Sequence, residues 1–173
     1  TTGIDLTGES DGLMPSREWK REARHQPWYP GETLITGIGQ GFFLTTPLQL
    51  ASATATLSMR GLRLQPAVGL AAQDPMTGEA TILSTAQAVA VPLSDVSNWE
   101  RIVTTMKDVV HGPRGTARRI GVDSAYKIAG KTGTAQVFGV GQDEEYNAEE
   151  LEKKLPDHSL FVAFAPVHEP RIA

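Results

Sequence analysis

The sequence predicts a mixed α/β fold, of the α+β kind, and three observations carry that prediction. Two stretches, 46–61 and 98–112, place helix-starting, apolar-periodic and helix-stopping residues in the right order. Two others, "YKIAGKTGTAQVF" and "HSLFVAFAP", are rich in β-branched and aromatic residues and read as strands. Between the helices, residues 62–95 mix short β-like runs with turn residues. At 173 residues the chain is about the size of one domain and can bury a real core.

Taken in order, residues 11–40 are rich in Gly, Pro and Trp and predict mainly loop, with a short helical turn near "SREWKREA". In "TTPLQLASATATLSMRG", Thr46 can cap a helix, Pro47 suits its first position and Gly61 stops it. Leu48, Ala51, Ala55 and Leu57 give that helix an apolar face, and its small residues predict close packing in a core. "RLQPAVGL" and "EATILS" are β-like, with "DPMTGEA" as a hairpin-like connection. In "NWERIVTTMKDVVHG", Asn98 is the expected cap. Trp99, Ile102, Val103, Met106, Val109 and Val110 recur at helical spacing, and Gly112 and Pro113 end the run.

The segment 139–158 reads as a polar insertion. Within it, "NAEELEKKL" predicts a short solvated helix with Asn147 and Glu150 as a capping box. Glu149–Lys153 and Glu150–Lys154 are spaced as i,i+4 pairs. "HSLFVAFAP" predicts a buried strand.

Composition narrows the classes. Hydrophobic content of 40% against 21% charged residues is that of a folded domain. A net charge of −4 without a basic stripe argues against nucleic acid. There is no cysteine, so neither disulfides nor thiolate chemistry enter. No apolar run approaches the roughly 20 residues of a membrane span, and "TTGIDLTGES" lacks the pattern of a signal peptide. Both ends have the look of cuts through a longer chain.

The central question is Gly130-Lys131-Thr132. A phosphate-binding loop needs a glycine five positions earlier, where Ala125 stands. It also needs a Gly-rich turn opening onto a helix, whereas "AYKIA" and "TAQVF" predict strand on both sides. The alternative takes Lys-Thr-Gly as part of a strand forming one wall of a serine acyl-transfer site. Thr132 and Thr134, two apart, then share a face and can bind a carboxylate together. Gly133 leaves the strand unobstructed for a substrate lying along it. The N–H of Thr134 can donate to an oxyanion, and Lys131 supplies positive charge nearby. A bare Lys-Thr-Gly tripeptide is more often an ordinary piece of edge strand.

The surroundings change that balance. "GIDLTGES.G.MPSREWK", "PWYPGET", "GIGQGFFLTTPLQLA", "GTA" at 115–117 and "YKIAGKTGTAQVFG...YNAEELEKKLPDHSLFVAFAP" follow one another along the chain. Together they closely resemble the transpeptidase domain of class B penicillin-binding proteins. Within that class the resemblance is to the elongation type of Gram-negative bacteria, the penicillin-binding protein 2 group. It runs over essentially the whole chain and implies the penicillin-binding transpeptidase or serine β-lactamase-like fold, an antiparallel sheet flanked by helices with an all-α lobe beside it. Lys131, Thr132 and Gly133 match the family's third active-site motif, with Thr134 directly after it. The resemblance implies D,D-transpeptidation of peptidoglycan stem peptides, and β-lactams as mimics of the D-Ala-D-Ala substrate. It further implies a parent anchored in the inner membrane with its catalytic domain in the periplasm, and a lipid-linked glycan polymerase of the SEDS type as partner. No cofactor and no metal are implied. "GIGQG" reads as scaffold, with Gln40 or Trp28 touching a ligand loop as the alternative.

The family's other two motifs are a nucleophilic serine in S-x-x-K and a second S-x-N motif. No serine here is followed two places later by Asn. S-x-x-K matches formally at Ser124-Ala-Tyr-Lys127, but the working pair needs a helix N-terminus, where Lys reaches the hydroxyl in one turn. Ser124 and Lys127 are expected to enter the strand, on opposite faces, with Ser124 about 23 Å from Lys131 at ~3.3 Å per residue. This chain is therefore expected to hold no nucleophile. His25, His111, His158 and His168 are scattered and read as surface histidines; Asp143, Glu144 and Glu145 read as solvated.

The expectation is an incomplete transpeptidase domain over 1–173, lacking the upstream S-x-x-K and S-x-N part and the last strand and helix, inactive and unstable alone because sheet edges stay open. Two other classes remain beside the enzyme. One is a non-catalytic module that keeps the carboxylate-binding strand; the other is a phosphate-loop protein.

Overall fold

In the computed structural model, which describes residues 1–83, 88–135 and 158–173, the first helix begins where Ser16 accepts the N–H of Trp19 at 3.0 Å. This α1 (Arg17–Arg24) is longer than the short turn expected there, and His25 ends it in the left-handed region at φ 54°. A second helix, α2 (Pro30–Gly37), stands where only loop was expected. Its two glycines and β-branched residues make it a poor helix by propensity. Its start is nevertheless well built: Pro30 opens the first turn, and the Glu32 carboxylate accepts the N–H of Tyr29 at 2.7 Å. The other Glu32 oxygen meets Lys20 Nζ at 2.5 Å, so α1 and α2 are tied by an ion pair whose lysine is 2% exposed. Lys20 also lies 4.4 Å above the Tyr29 ring.

The described residues fall into two units. One holds 12–45 with 132–161; the other holds 1–11, 46–131 and 162–173, and the division passes inside two strands. The second unit begins with α3 (Pro47–Ser58), capped as the sequence predicts. Thr46 accepts the N–H of Gln49 at 3.2 Å, and Gln49 returns a bond to the N–H of Thr46 at 3.0 Å. The expected apolar face is only partly right. Ala51 is exposed, while the buried positions are Thr54 and Ser58. Their hydroxyls donate to Leu50 O and Ala55 O, each at 2.7 Å, which lets polar side chains sit inside without an orphaned donor. The turn after α3 needs Gly61: its φ is +89°, and a Cβ there would come within 2.5 Å of the Trp99 ring.

Short strands follow. β1 (Leu62–Leu64) pairs antiparallel with β4 (Ala88–Ala90), and β2 (Ala71–Gln73) with β3 (Ala80–Ile82). The β2–β3 link is the anticipated hairpin, with the Asp74 carboxylate accepting the N–H groups of Met76 and Thr77. Next comes α4 (Ser97–His111). Asp95, rather than Asn98, accepts the first N–H, from Ser97 at 2.9 Å; the helix starts one residue before Asn98, which is therefore inside it. The short α5 (Arg118–Gly121) packs against α4.

β5 (Ala129–Ala135) and β6 (His158–Phe164) form the third strand pair. The Lys127 carbonyl accepts the N–H of Val167, and Gly133 lies opposite Leu160, so the two run antiparallel. The core gathers Val103 and Met106 of α4, Ala129 of β5, and Phe164 and Val167, with Leu57 of α3 against it. Val110 is also fully buried. Each large apolar side chain so buried contributes about 1.5–3 kcal/mol. β6 is not the uniformly buried strand expected, since only its C-terminal end reaches the core and His158–Phe161 are exposed. The polar insertion 139–158, with its predicted helix and with Asp143, Glu144 and Glu145, falls outside the described residues apart from His158. No described helix is long and apolar enough to cross a membrane.

Candidate active site

Lys131 sits in the middle of β5, with strand residues on either side from Ala129 to Ala135. No helix opens at Thr132, so the geometry a phosphate loop requires is absent there. Alternation along the strand sends Lys131 to the face it shares with Ala129, and Thr132 and Thr134 together to the opposite face. The two threonines thus share a face as expected, and the lysine is adjacent to them in sequence but not on their side. Lys131, Gly133 and Thr134 are exposed and Thr132 is half-buried.

On its own side Lys131 lines a cavity of about 480 Å³ with Thr105, Asp108 and Val109 of α4 and the loop 112–116. The loop closes tightly on the helix end. Gly112 and Ala117 donate to the carbonyls of Asp108 and Val109, at 2.8 and 3.0 Å. Of "GTA" at 115–117, Gly115 and Thr116 line the Lys131 cavity, and Ala117 is buried behind them.

Gly133, like Gly31 and Gly37, is not held as glycine by its backbone. Its φ is not positive, and among the described residues a Cβ there would meet only Leu160 Cβ, at an ordinary 3.7 Å. Neither its backbone nor packing among the described residues requires glycine at this position. In "GIGQG", by contrast, Gly39 and Gly41 both hold positive φ. Gln40 donates its backbone N–H to Ile35 O at 3.1 Å. Trp28 donates its indole N–H to Thr33 at 2.9 Å and lines a cavity of about 690 Å³ with Arg17, Arg21 and Thr33.

Ser124 and Lys127 lie before β5, not in it as expected, because the strand starts only at Ala129. The Ser124 hydroxyl donates to Tyr126 O at 2.6 Å and accepts the Tyr126 N–H at 3.4 Å. It closes a local turn. Among the described residues no group of His and carboxylates is placed to hold a metal ion.

One histidine departs from the surface reading. His111, at the end of α4, is partly buried, and its Nε2 accepts the N–H of Ile128 at 2.9 Å. Burial first, then the charges of Lys127 and Lys107, hold its pKa below the usual histidine value. Sequence reasoning missed it, since a basic residue in the last turn of a helix is ordinary. Its contact partner lies 17 residues away, on a segment no periodicity links to it.

The family model of the penicillin binding protein transpeptidase domain matches residues 1–173. The chain is 38% identical over 174 residues to the peptidoglycan D,D-transpeptidase MrdA of Escherichia coli (strain K12), covering 99% of this chain and 27% of that protein. The crystal structure of Pseudomonas aeruginosa PBP2 in complex with WCK 5153 superposes with a TM-score of 0.74 at 45% identity, over 97% of this chain and 33% of that one. A complex of PBP2 and MreC from Helicobacter pylori gives a TM-score of 0.74 at 31% identity, over 98% and 28%. The chain spans about a quarter of the length of the curated relative. The mixed fold with antiparallel strand pairs is the one these structures share, and by sequence and fold alike the chain belongs to the penicillin-binding protein transpeptidase family.

Proposed function

We propose that these residues are the Lys-Thr-Gly part of a peptidoglycan D,D-transpeptidase that cross-links stem peptides during cell elongation and is a target of β-lactams. Thr132 and Thr134 bind the substrate carboxylate through their hydroxyls, and the Thr134 N–H donates to the oxyanion of the tetrahedral intermediate. Lys131 contributes positive charge from the other side of the strand. The observation that carries this reading is Gly133. Among the described residues there is room for a side chain there, yet the residue is glycine between two threonines on an exposed strand. A substrate lying across the strand accounts for that.

The attacking serine, with its S-x-x-K lysine and the S-x-N motif, belongs to parts of the protein outside 1–173. In this proposal 1–173 is thus an incomplete transpeptidase domain, and the final strand and helix also lie outside it. The parent works at the periplasmic face of the inner membrane, held by an anchor outside these residues. Its substrates are stem peptides, and its partner is a SEDS-type glycan polymerase. The MreC complex of the H. pylori relative supports a life within a larger wall-building assembly.

The test is intact mass of the polypeptide as the cell makes it, before and after benzylpenicillin. A mass above 18.6 kDa that gains one penicilloyl group supports the reading. Absence of any adduct overturns it in favour of a non-catalytic binding module.

A further inference from the structure

β5 is held at its entry by two ties. The Lys127 carbonyl accepts the N–H of Val167 at 3.0 Å, and the next residue, Ile128, donates its N–H to His111 Nε2 at 2.9 Å. The first is a backbone bond just beyond the ends of β5 and β6. The second comes from a side chain that can lose its acceptor, because a protonated imidazole has two donors and none. An accepting Nε2 places the ring proton on Nδ1.

The ring has little room to turn. A Cβ at Gly121 would stand 2.6 Å from Val110 O and 2.9 Å from His111 Nδ1, so only glycine lets α5 close against this end of α4. Ala129, directly after Ile128, is fully buried in the core. Two residues further on, Lys131 lines the cavity bounded by the last turns of α4 and the loop 112–116. His111 therefore belongs to the same helix end that forms the wall opposite Lys131.

We propose that His111 is a positioning residue for Lys131: the neutral imidazole fixes the start of β5, and its protonation releases that tie. The proposal rests on the reading of Lys131 as part of the acylation site. The charges bearing on His111 are Lys127 on the tied segment and Lys107 on its own helix. Asp108 stands on α4 at the cavity, and α5, packed on α4, carries Arg118 and Arg119. Burial and both lysines favour the neutral ring, so the tie is made at neutral pH and lost on acidification.

The experiment uses the full-length protein with a fluorescent penicillin, and follows acylation rate and the Ile128 amide resonance from about pH 8 down to about pH 5. In the wild type, the amide resonance should titrate with His111. Acylation should fall about tenfold along the same curve, the equivalent of one net hydrogen bond. His111→Gln puts a non-titrating oxygen near the position of Nε2. It should keep the neutral-pH rate within about threefold and lose that acid limb. His111→Leu should be slow at every pH; if it fails to fold, the glutamine variant still decides. Superimposable wild-type and His111→Gln profiles, or an Ile128 amide indifferent to His111 titration, overturn the proposal. No acylation in any variant with Ile128 still titrating overturns the reading of Lys131 while supporting the tie itself.

Discussion

Gly133→Ala adds one methyl group to β5, and the structure separates its two consequences. For the fold, the new Cβ meets Leu160 Cβ at 3.7 Å, an ordinary contact, and φ at this position is not in the region reserved for glycine. Alanine also loses less backbone freedom on folding, worth about 0.5–1 kcal/mol within a strand. The variant should therefore melt no lower than the wild type, and up to about 4 °C higher. For the chemistry, the methyl occupies the exposed strand surface over which the substrate is proposed to lie. A displacement of about 1 Å from the reactive geometry costs on the order of 10²-fold in rate. Differential scanning fluorimetry and the second-order rate of acylation by a fluorescent penicillin, both on the full-length protein, read the two effects separately. Unchanged acylation would mean that no substrate lies over Gly133. A melting temperature lowered by more than about 4 °C would mean that packing needs this glycine after all.

Gly61→Ala makes the opposite case, because left-handed φ and the Trp99 ring at 2.5 Å both reject a side chain. It should destabilise by roughly 2–4 kcal/mol, seen in denaturant melts. Glu32→Gln leaves the nearly fully buried Lys20 ammonium without its carboxylate and should cost about 3 kcal/mol, whereas Lys20→Met leaves a partly exposed carboxylate and should cost less; equal losses would contradict the assigned burial. Burial opposes ionisation of Glu32, but the Lys20 bond, the Tyr29 N–H and the Lys20 charge outweigh it and lower its pKa. A lowered carboxylate pKa gives stability that is complete above the ordinary value of 4.5 and lost as pH falls through the lowered one, which pH-dependent melting of wild type against Glu32→Gln can follow. Ser124→Ala should label with penicillin at the wild-type rate, since that hydroxyl serves only the turn at Tyr126; loss of labelling would restore Ser124 as a nucleophile.

The sequence by itself determined the elements whose signals are local. Thr46, Pro47 and Gln49 specify the start of α3 with atoms within one turn of each other. The period of Val103, Met106 and Val110 specifies the buried face of α4, and Asp74 to Gly78 specify the β2–β3 turn. It also supplied the Lys131–Thr134 pattern and, through resemblance, the family. Where it failed, either the deciding partner was far along the chain or residue type misled about burial. α2 is weak by propensity and is held partly by Lys20, twelve residues from Glu32. Thr54 and Ser58, polar by type, are buried because the helix itself satisfies their hydroxyls.

Only the tertiary structure put Lys131 on the cavity side of its strand and gave His111 the N–H of Ile128. It alone revealed that, among the described residues, Gly133 has room it does not fill. Local signals arise from backbone geometry repeated every two or 3.6 residues, which a sequence records directly. A hydrogen bond across 17 residues, or empty space beside a glycine, depends on where separate elements come to rest, and no spacing in the sequence encodes it.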